Sequence, residues 1–167
     1  SKLEVADSGI IRSLTSSRGW NWAFKSSVGA SGGLISCWQE EFFELEGEWI
    51  GKFVLVLLLR NKSDGLTWMI INVYGPCSQP LKRDFLQELR EVISWWEVPF
   101  CVLGDFNMIR FPEDVSGAGR NRREMDMFND WISEVELIEL PLRGASFTWS
   151  NLRDNATMSR IDRVFVS

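Results

Sequence analysis

Two apolar runs, Phe53 to Leu59 and Leu66 to Tyr74, constrain the fold of this chain more than any other stretch. They are rich in β-branched, aromatic and other apolar residues. The polar Asn61-Lys62-Ser63-Asp64-Gly65 separates them, which reads as two antiparallel strands joined by a turn. Odd and even positions are both apolar, so each strand needs cover on both faces. A single exposed hairpin is thereby excluded, and the rest of the chain has to supply two further layers.

The cover is legible in the periodicity that follows. Leu81, Phe85, Leu89, Val92 and Trp96 recur every three or four residues, with Lys82, Arg83, Glu88 and Arg90 on the opposite face, predicting an amphipathic helix. Phe100-Cys101-Val102-Leu103 reads as a buried strand, and Met125, Phe128, Ile132 and Val135 mark a second helix. Strand, helix, strand, helix in that order predicts a layered α/β domain. Upstream, Gly29 to Gly33 is a turn feeding a short strand at Leu34 to Trp38. Downstream, Ser146 to Trp149 and Arg160 to Val166 read as two strands joined by the polar loop Asn151 to Thr157. The acids of Glu40 to Glu46 are too irregularly spaced for a metal cage and suit a solvated edge. No repeat or linker divides residues 1–167, which read as one domain.

Composition narrows the function classes. With 167 residues and 45% hydrophobic content the chain can bury one sizeable core. Its longest apolar run is far short of the roughly 20 residues of a membrane span, and no leader opens it, so the expectation is an intracellular protein with no membrane partner. Three cysteines, Cys37, Cys77 and Cys101, without CxxC spacing argue against a disulfide partner. The net charge of −5 is the wrong sign for holding nucleic acid by bulk attraction, so a phosphate partner has to be met by a local patch. Histidine is absent altogether, which excludes Ser-His and Cys-His catalytic pairs. Ser1 at the start, and Ser167 closing a strand-like segment, suggest a piece of a longer protein.

Four constellations carry candidate chemistry. Gly104-Asp105-Phe106-Asn107 follows a buried strand, where α/β sheets place ligand-binding side chains. If the chain stays extended, Asp105 and Asn107 point the same way and can hold a water, a developing negative charge or a hard cation; the alternative is an Asx turn. Alternation puts Trp68, Ile70, Asn72 and Tyr74 on one strand face, and Tyr74, the only tyrosine, either donates to a phosphate oxygen or simply ends a strand. Arg160, Asp162 and Val164 share a face of the last strand, where Asp162 is expected to be dry and paired with Arg160 or another cation. Arg120, Arg122 and Arg123 either meet a nucleic-acid backbone or form a solvated helix entry.

Taken in order, NVYGP, a helix, a buried strand into GDFN, then LPLRGASFTWSN and SRIDR, the chain resembles the endonuclease/exonuclease/phosphatase superfamily. More narrowly it resembles the apurinic-type endonuclease domain of LINE-type (non-LTR) retrotransposons, in its plant-like version. The resemblance implies an α/β fold of two packed mixed β-sheets flanked by helices, a four-layer sandwich. It also implies Mg²⁺-dependent hydrolysis of double-stranded DNA, with Mn²⁺ as the substitute ion, in a parent carrying a fused reverse transcriptase and working in the nucleus. Carried over by position, Asp105 orients or deprotonates the attacking water and, with Asn107, meets the metal. Asn107 holds the scissile phosphate, Tyr74 donates to it, and Asp162 buttresses a histidine. Asn72, Thr148, Asn151 and Arg160 are the implied substrate contacts, with the loop from Asn151 to Met158 lying against the DNA minor groove.

Departures from that pattern carry their own expectation. The family's metal-binding Glu precedes text like Ser1-Lys2-Leu3-Glu4, and its Ser-Asp-His follows text like that ending at Ser167. The chain is therefore expected to be incomplete at both ends and nearly inert alone, because members of a catalytic unit act together. Two alternatives stand beside the nuclease: a noncatalytic DNA-binding remnant, and a phosphatase of the same superfamily acting on a small molecule.

Overall fold

The computed structural model describes residues 19–27, 32–117 and 121–167. Its centre is a mixed six-stranded sheet. The two apolar runs form β4 (Val54–Asn61) and β5 (Thr67–Tyr74), antiparallel as their turn predicts. β3 (Phe43–Ile50) flanks β4, and on the other side lie β6 (Phe100–Asp105), β10 (Asp162–Val166) and β7 (Ile138–Glu139), in the order β3-β4-β5-β6-β10-β7. Among the described strands only β5 and β6 are parallel, because α1 (Gln79–Ile93) carries the chain back between them. α2 (Arg122–Glu134) follows β6, and a short ribbon, β8 (Trp149–Ser150) with β9 (Met158–Ser159), precedes β10.

Both faces of β4 and β5 are covered, as their composition demands. Val54, Val56, Met69, Ile71 and Val73 join Phe85, Leu89, Phe128 and Trp131 in a core beneath the helices. Leu55, Leu57 and Leu59, with Trp68 and Ile70, pack instead against Ala23, Leu34 and Trp38 of a hairpin made by β1 (Trp20–Lys25) and β2 (Leu34–Gln39). Exposing either set would forgo roughly 1.5–3 kcal/mol for each large side chain, so the hairpin layer is as necessary as the helices. The packed-sheet α/β class expected above is the class observed. Among the described residues no helix is long and apolar enough to cross a membrane.

Several local expectations shift. Ser146 to Trp149 is not a strand: pairing is confined to Trp149–Ser150 with Met158–Ser159, and β10 starts only at Asp162. The acidic segment is a solvated edge, with Glu44 and Glu46 on outer strand β3 pairing across to Arg60. Lys82, read as solvent-facing, is buried on α1. The segment with Glu4 and residue Arg120 lie outside the described residues.

One glycine governs how closely β5 and β6 approach at their C-terminal ends. Gly104 adopts φ 132, and a Cβ there would overlap the Val73 carbonyl oxygen. Gly104→Ala is expected to destabilise by about 2–3 kcal/mol, through backbone strain and overpacking together. Urea unfolding reads this directly, and a loss below about 0.5 kcal/mol would show the strands can part freely.

Candidate active site

Because β5 and β6 run parallel, they end on the same side of the sheet, and antiparallel β10 enters there. Register then does what no single motif can. Asp105 is paired with Tyr74 on one side and Asp162 on the other, so three polar residues lie in a row on neighbouring strands, about 4.8 Å apart, facing the hairpin side. Their neighbours Val73, Gly104 and Arg163 face the helices.

The GDFN loop is fixed by its phenylalanine. Phe106 is fully buried, with its ring among Phe85, Phe128, Trp131 and Phe165, and its N–H donates to the Ile161 carbonyl at 2.9 Å. Gly75, whose N–H donates to the Asp105 carbonyl at 2.6 Å, leaves no room for a Cβ against the Phe106 backbone. Asp105 and Asn107 are therefore presented from a rigid base.

The loop does not stay extended: Asn107 has φ 49, and its N–H donates to Asp105 Oδ1 at 2.8 Å. That is the Asx-turn geometry weighed above, and it brings the pair together instead of separating them. Asn107 Nδ2 donates to the Gly75 carbonyl at 2.8 Å, and the exposed Cys77 thiol lies 3.6 Å from its Oδ1. Burial pushes the Asp105 carboxyl up to about 6, and the neighbouring Asp162 charge adds to this against the Asn107 N–H bond and the Lys82 charge. Burial, followed by the Asp105 charge, also raises the Tyr74 phenol, which thus remains a donor at neutral pH. A carboxylate poised near neutrality, a protonated phenol and an amide in one place can take a proton from water and hydrogen-bond an anion.

Asp162 corrects an expectation. It is exposed, not dry, and Arg160 does not pair with it: the Arg160 guanidinium goes to Glu139. Thr148 Oγ1 accepts from the N–H groups of Ile161 and Asp162, each at 3.1 Å, and so pins the entry to β10. Asn151 Oδ1 closes the ribbon loop by accepting from Arg153 and Thr157 N–H at 3.3 and 3.1 Å. Asn72 Nδ2 donates to the Ile35 carbonyl at 2.9 Å and to Ser36 Oγ at 3.1 Å, tying β5 to the hairpin. Tyr74, Asp105, Asn107 and Asp162 are gathered at one sheet end; Asn72, Asn151 and Arg160 make bonds within the fold.

Two buried ionic arrangements escaped the sequence reading. Lys82 Nζ donates to the Asn107 carbonyl at 2.8 Å and to Glu124 Oε1 at 2.5 Å, bracing the loop from behind. Arg163 binds Asp114 and Glu139, and Glu139 also holds Arg110 and Arg160. Alternation was the available signal for Arg163, since it shares parity with buried Phe165.

Among the described residues no group of three or more His, Cys, Asp or Glu could cage a metal. The donor set at the sheet end nevertheless suits one hard cation. Asp105 and Asp162 repel one another, and Mg²⁺ is commonly held by one or two carboxylates while keeping several waters. A groove of about 520 Å³ lined by Leu103, Leu140, Leu142, Thr148 and Val164 adjoins Asp162.

No protein-family profile matches the sequence. It is 24% identical over 119 residues to the transposon TX1 uncharacterized 149 kDa protein of Xenopus laevis, covering 67% of this chain and 9% of that protein. In structure it is similar to the endonuclease domain of TRAS1, a telomere-specific non-LTR retrotransposon, with TM-score 0.64 at 14% identity over 90% of this chain and 68% of that one. TDP2 of D. rerio complexed with single-strand DNA product gives 0.60 at 12%, over 95% and 66%. A mannosyl-6-phosphatase of Bacteroides thetaiotaomicron gives 0.58 at 15%, over 90% and 63%, so the chain spans less than two thirds of that protein.

Proposed function

From a chain that carries the endonuclease/exonuclease/phosphatase fold, we propose a Mg²⁺-dependent hydrolase of DNA phosphodiesters, of the kind that nicks double-stranded target DNA in retrotransposition. The observation that carries the proposal is the single row of Tyr74, Asp105 and Asp162 on three adjacent strands, with Asn107 held beside it by its N–H bond to Asp105. The similarity to a retrotransposon endonuclease and to a transposon protein favours this substrate. The 9% coverage supports a longer parent, in which the proposal includes a fused reverse transcriptase and nuclear work.

In this mechanism Asp105, as the carboxylate, orients the attacking water and accepts its proton at a carboxylate oxygen. Asn107 and Tyr74 present an amide and a phenol O–H to the non-bridging oxygens of the phosphate, donors fixed in advance by the Phe106 anchor. Asp105 and Asn107, with Asp162 opposite, would hold Mg²⁺, which when bound supplies charge stabilisation for the phosphoryl oxygens. Thr148, holding the backbone of Asp162, positions that carboxylate.

The test is supercoiled plasmid incubated with Mg²⁺, using the chain itself and a form extended by a Glu-bearing strand before Ser1 and Ser-Asp-His after Ser167. The extended form is expected to nick and the chain to be slower by orders of magnitude, with Asp105→Ala abolishing both. Release of phosphate from small sugar phosphates without nicking would favour the phosphatase reading. DNA binding with no hydrolysis by either form would leave a noncatalytic remnant.

A further inference from the structure

Behind the GDFN loop, α1 and α2 begin side by side, and between them lies a cavity of about 430 Å³ lined by Gln79, Pro80, Arg83, Asn121, Arg123 and Glu124 among others. Resting on the DNA reading above, we propose that Arg83 and Arg123 form a second anion site, which takes one backbone phosphate of the DNA strand beyond the scissile position. The two arginines are exposed and, among the described residues, have no hydrogen-bond or ion-pair partner. Arg60, Arg90, Arg110, Arg160 and Arg163 pair with carboxylates; Arg122, Arg143 and Arg153 are exposed like the two, but Arg83 and Arg123 line one cavity together. The Glu124 charge is already matched by buried Lys82, and Gln79 donates to its other oxygen. Asp84, next to Arg83, lies 3.8 Å from Lys52 Nζ.

The same buried contact that braces the active loop holds the two arginines in place. Lys82 points inward to the Asn107 carbonyl and Glu124, while its neighbour Arg83 points out; Glu124 points inward, while its neighbour Arg123 points out. Two like charges facing one cavity repel one another, an anion between them relieves this, and the planar guanidinium fork matches phosphate oxygens. The notch adjoins the loop that carries Asn107, because Lys82, next to Arg83, bonds the Asn107 carbonyl and also Glu124, next to Arg123. The notch thus supplies a local positive patch in a chain whose net charge is −5.

The test measures binding, not cleavage. Fluorescence anisotropy of a labelled duplex of about 20 base pairs, with EDTA present, is followed as salt is varied. Arg83→Ala/Arg123→Ala is expected to weaken binding about tenfold at low salt and to lower the slope of log K against log salt by about 1, the signature of one lost phosphate contact. Arg83→Lys/Arg123→Lys should keep the slope, and Lys62→Ala, beyond the opposite end of β4, should change neither quantity. Thermal unfolding confirms that the surface variants remain folded. The proposal is overturned if the double alanine variant binds like the parent, if Lys62→Ala costs as much, if the parent does not bind DNA at low salt, or if an RNA duplex binds more tightly than DNA. Blocking by millimolar inorganic phosphate with no change in the DNA salt slope would also overturn it, as a free-phosphate site. Asp105→Ala separates this from the hydrolase reading: it should abolish nicking and leave the salt slope intact, so either idea can fail alone.

Discussion

Asp105→Asn is expected to make the protein more stable and less active at once. The Asp105 carboxyl titrates at about 6 in the fold against an ordinary value of 3.8, with burial as the main cause. The folded state therefore holds this proton more tightly than the unfolded chain. Its favourable contribution is complete below pH 3.8 and is lost as pH rises through about 6, above which the carboxylate opposes folding. The difference corresponds to about 3 kcal/mol at most. Asparagine keeps an oxygen for the Asn107 N–H but carries no charge, so urea unfolding at pH 8 should show a gain of about 1–3 kcal/mol that vanishes near pH 3.5. Melting temperature should rise by about 2–4 °C for each kcal/mol. Nicking by the extended form should fall by about 10³-fold or more, since the water loses its base. Equal stability of parent and variant at pH 8 would show that the carboxylate is not desolvated, and the assignment of Asp105 as a base poised near neutrality would go with it. A site that costs stability in order to hold charge is the usual trade at a working centre.

Arg163→Met is expected to cost about 3–5 kcal/mol, because it breaks a buried ionic arrangement on one side only. Arg163 is 3% exposed and Asp114 6%. The Arg163 guanidinium binds Asp114, donates to Glu139 Oε1 at 2.5 Å and to the Arg160 carbonyl at 3.1 Å. Without it, among the described residues Asp114 keeps the N–H donors of Arg110 and Phe111, at 2.8 and 2.9 Å, and no ion-pair partner. If stranded charge is the cause, adding Asp114→Asn to Arg163→Met should recover a substantial part of the loss in urea unfolding. A loss below about 1 kcal/mol for the single variant would mean that water reaches the network. Asp162 sits on the other face of the same strand, next to Arg163, so the damaged strand should also lower nicking by the extended form.

Local patterns were sufficient for much of this architecture. Apolar residues at every position of Phe53 to Leu59 demanded two-sided cover, and the spacing of Phe85, Leu89 and Val92 demanded a helix, whatever lay elsewhere in the chain. GDFN announced a strand giving way to a loop, although its Asx turn required both readings of Asp105 to hold together. Lys82 and Arg163 were misread or missed because a charged residue's burial depends on partners 42 and 49 positions away, Glu124 and Asp114, which no local period records. Asp162 was expected to be dry from its strand position alone, yet exposure depends on what covers the face, and Arg160 turned to Glu139 instead.

The amino-acid order by itself determined which segments extend, which coil and which faces seek the core, since alternation and helical period are properties of neighbouring residues. Only the tertiary structure decided that Tyr74, Asp105 and Asp162 stand in one row. Strand register is set by hydrogen bonds between distant segments, and a slip of one residue would turn each side chain to the opposite face of the sheet.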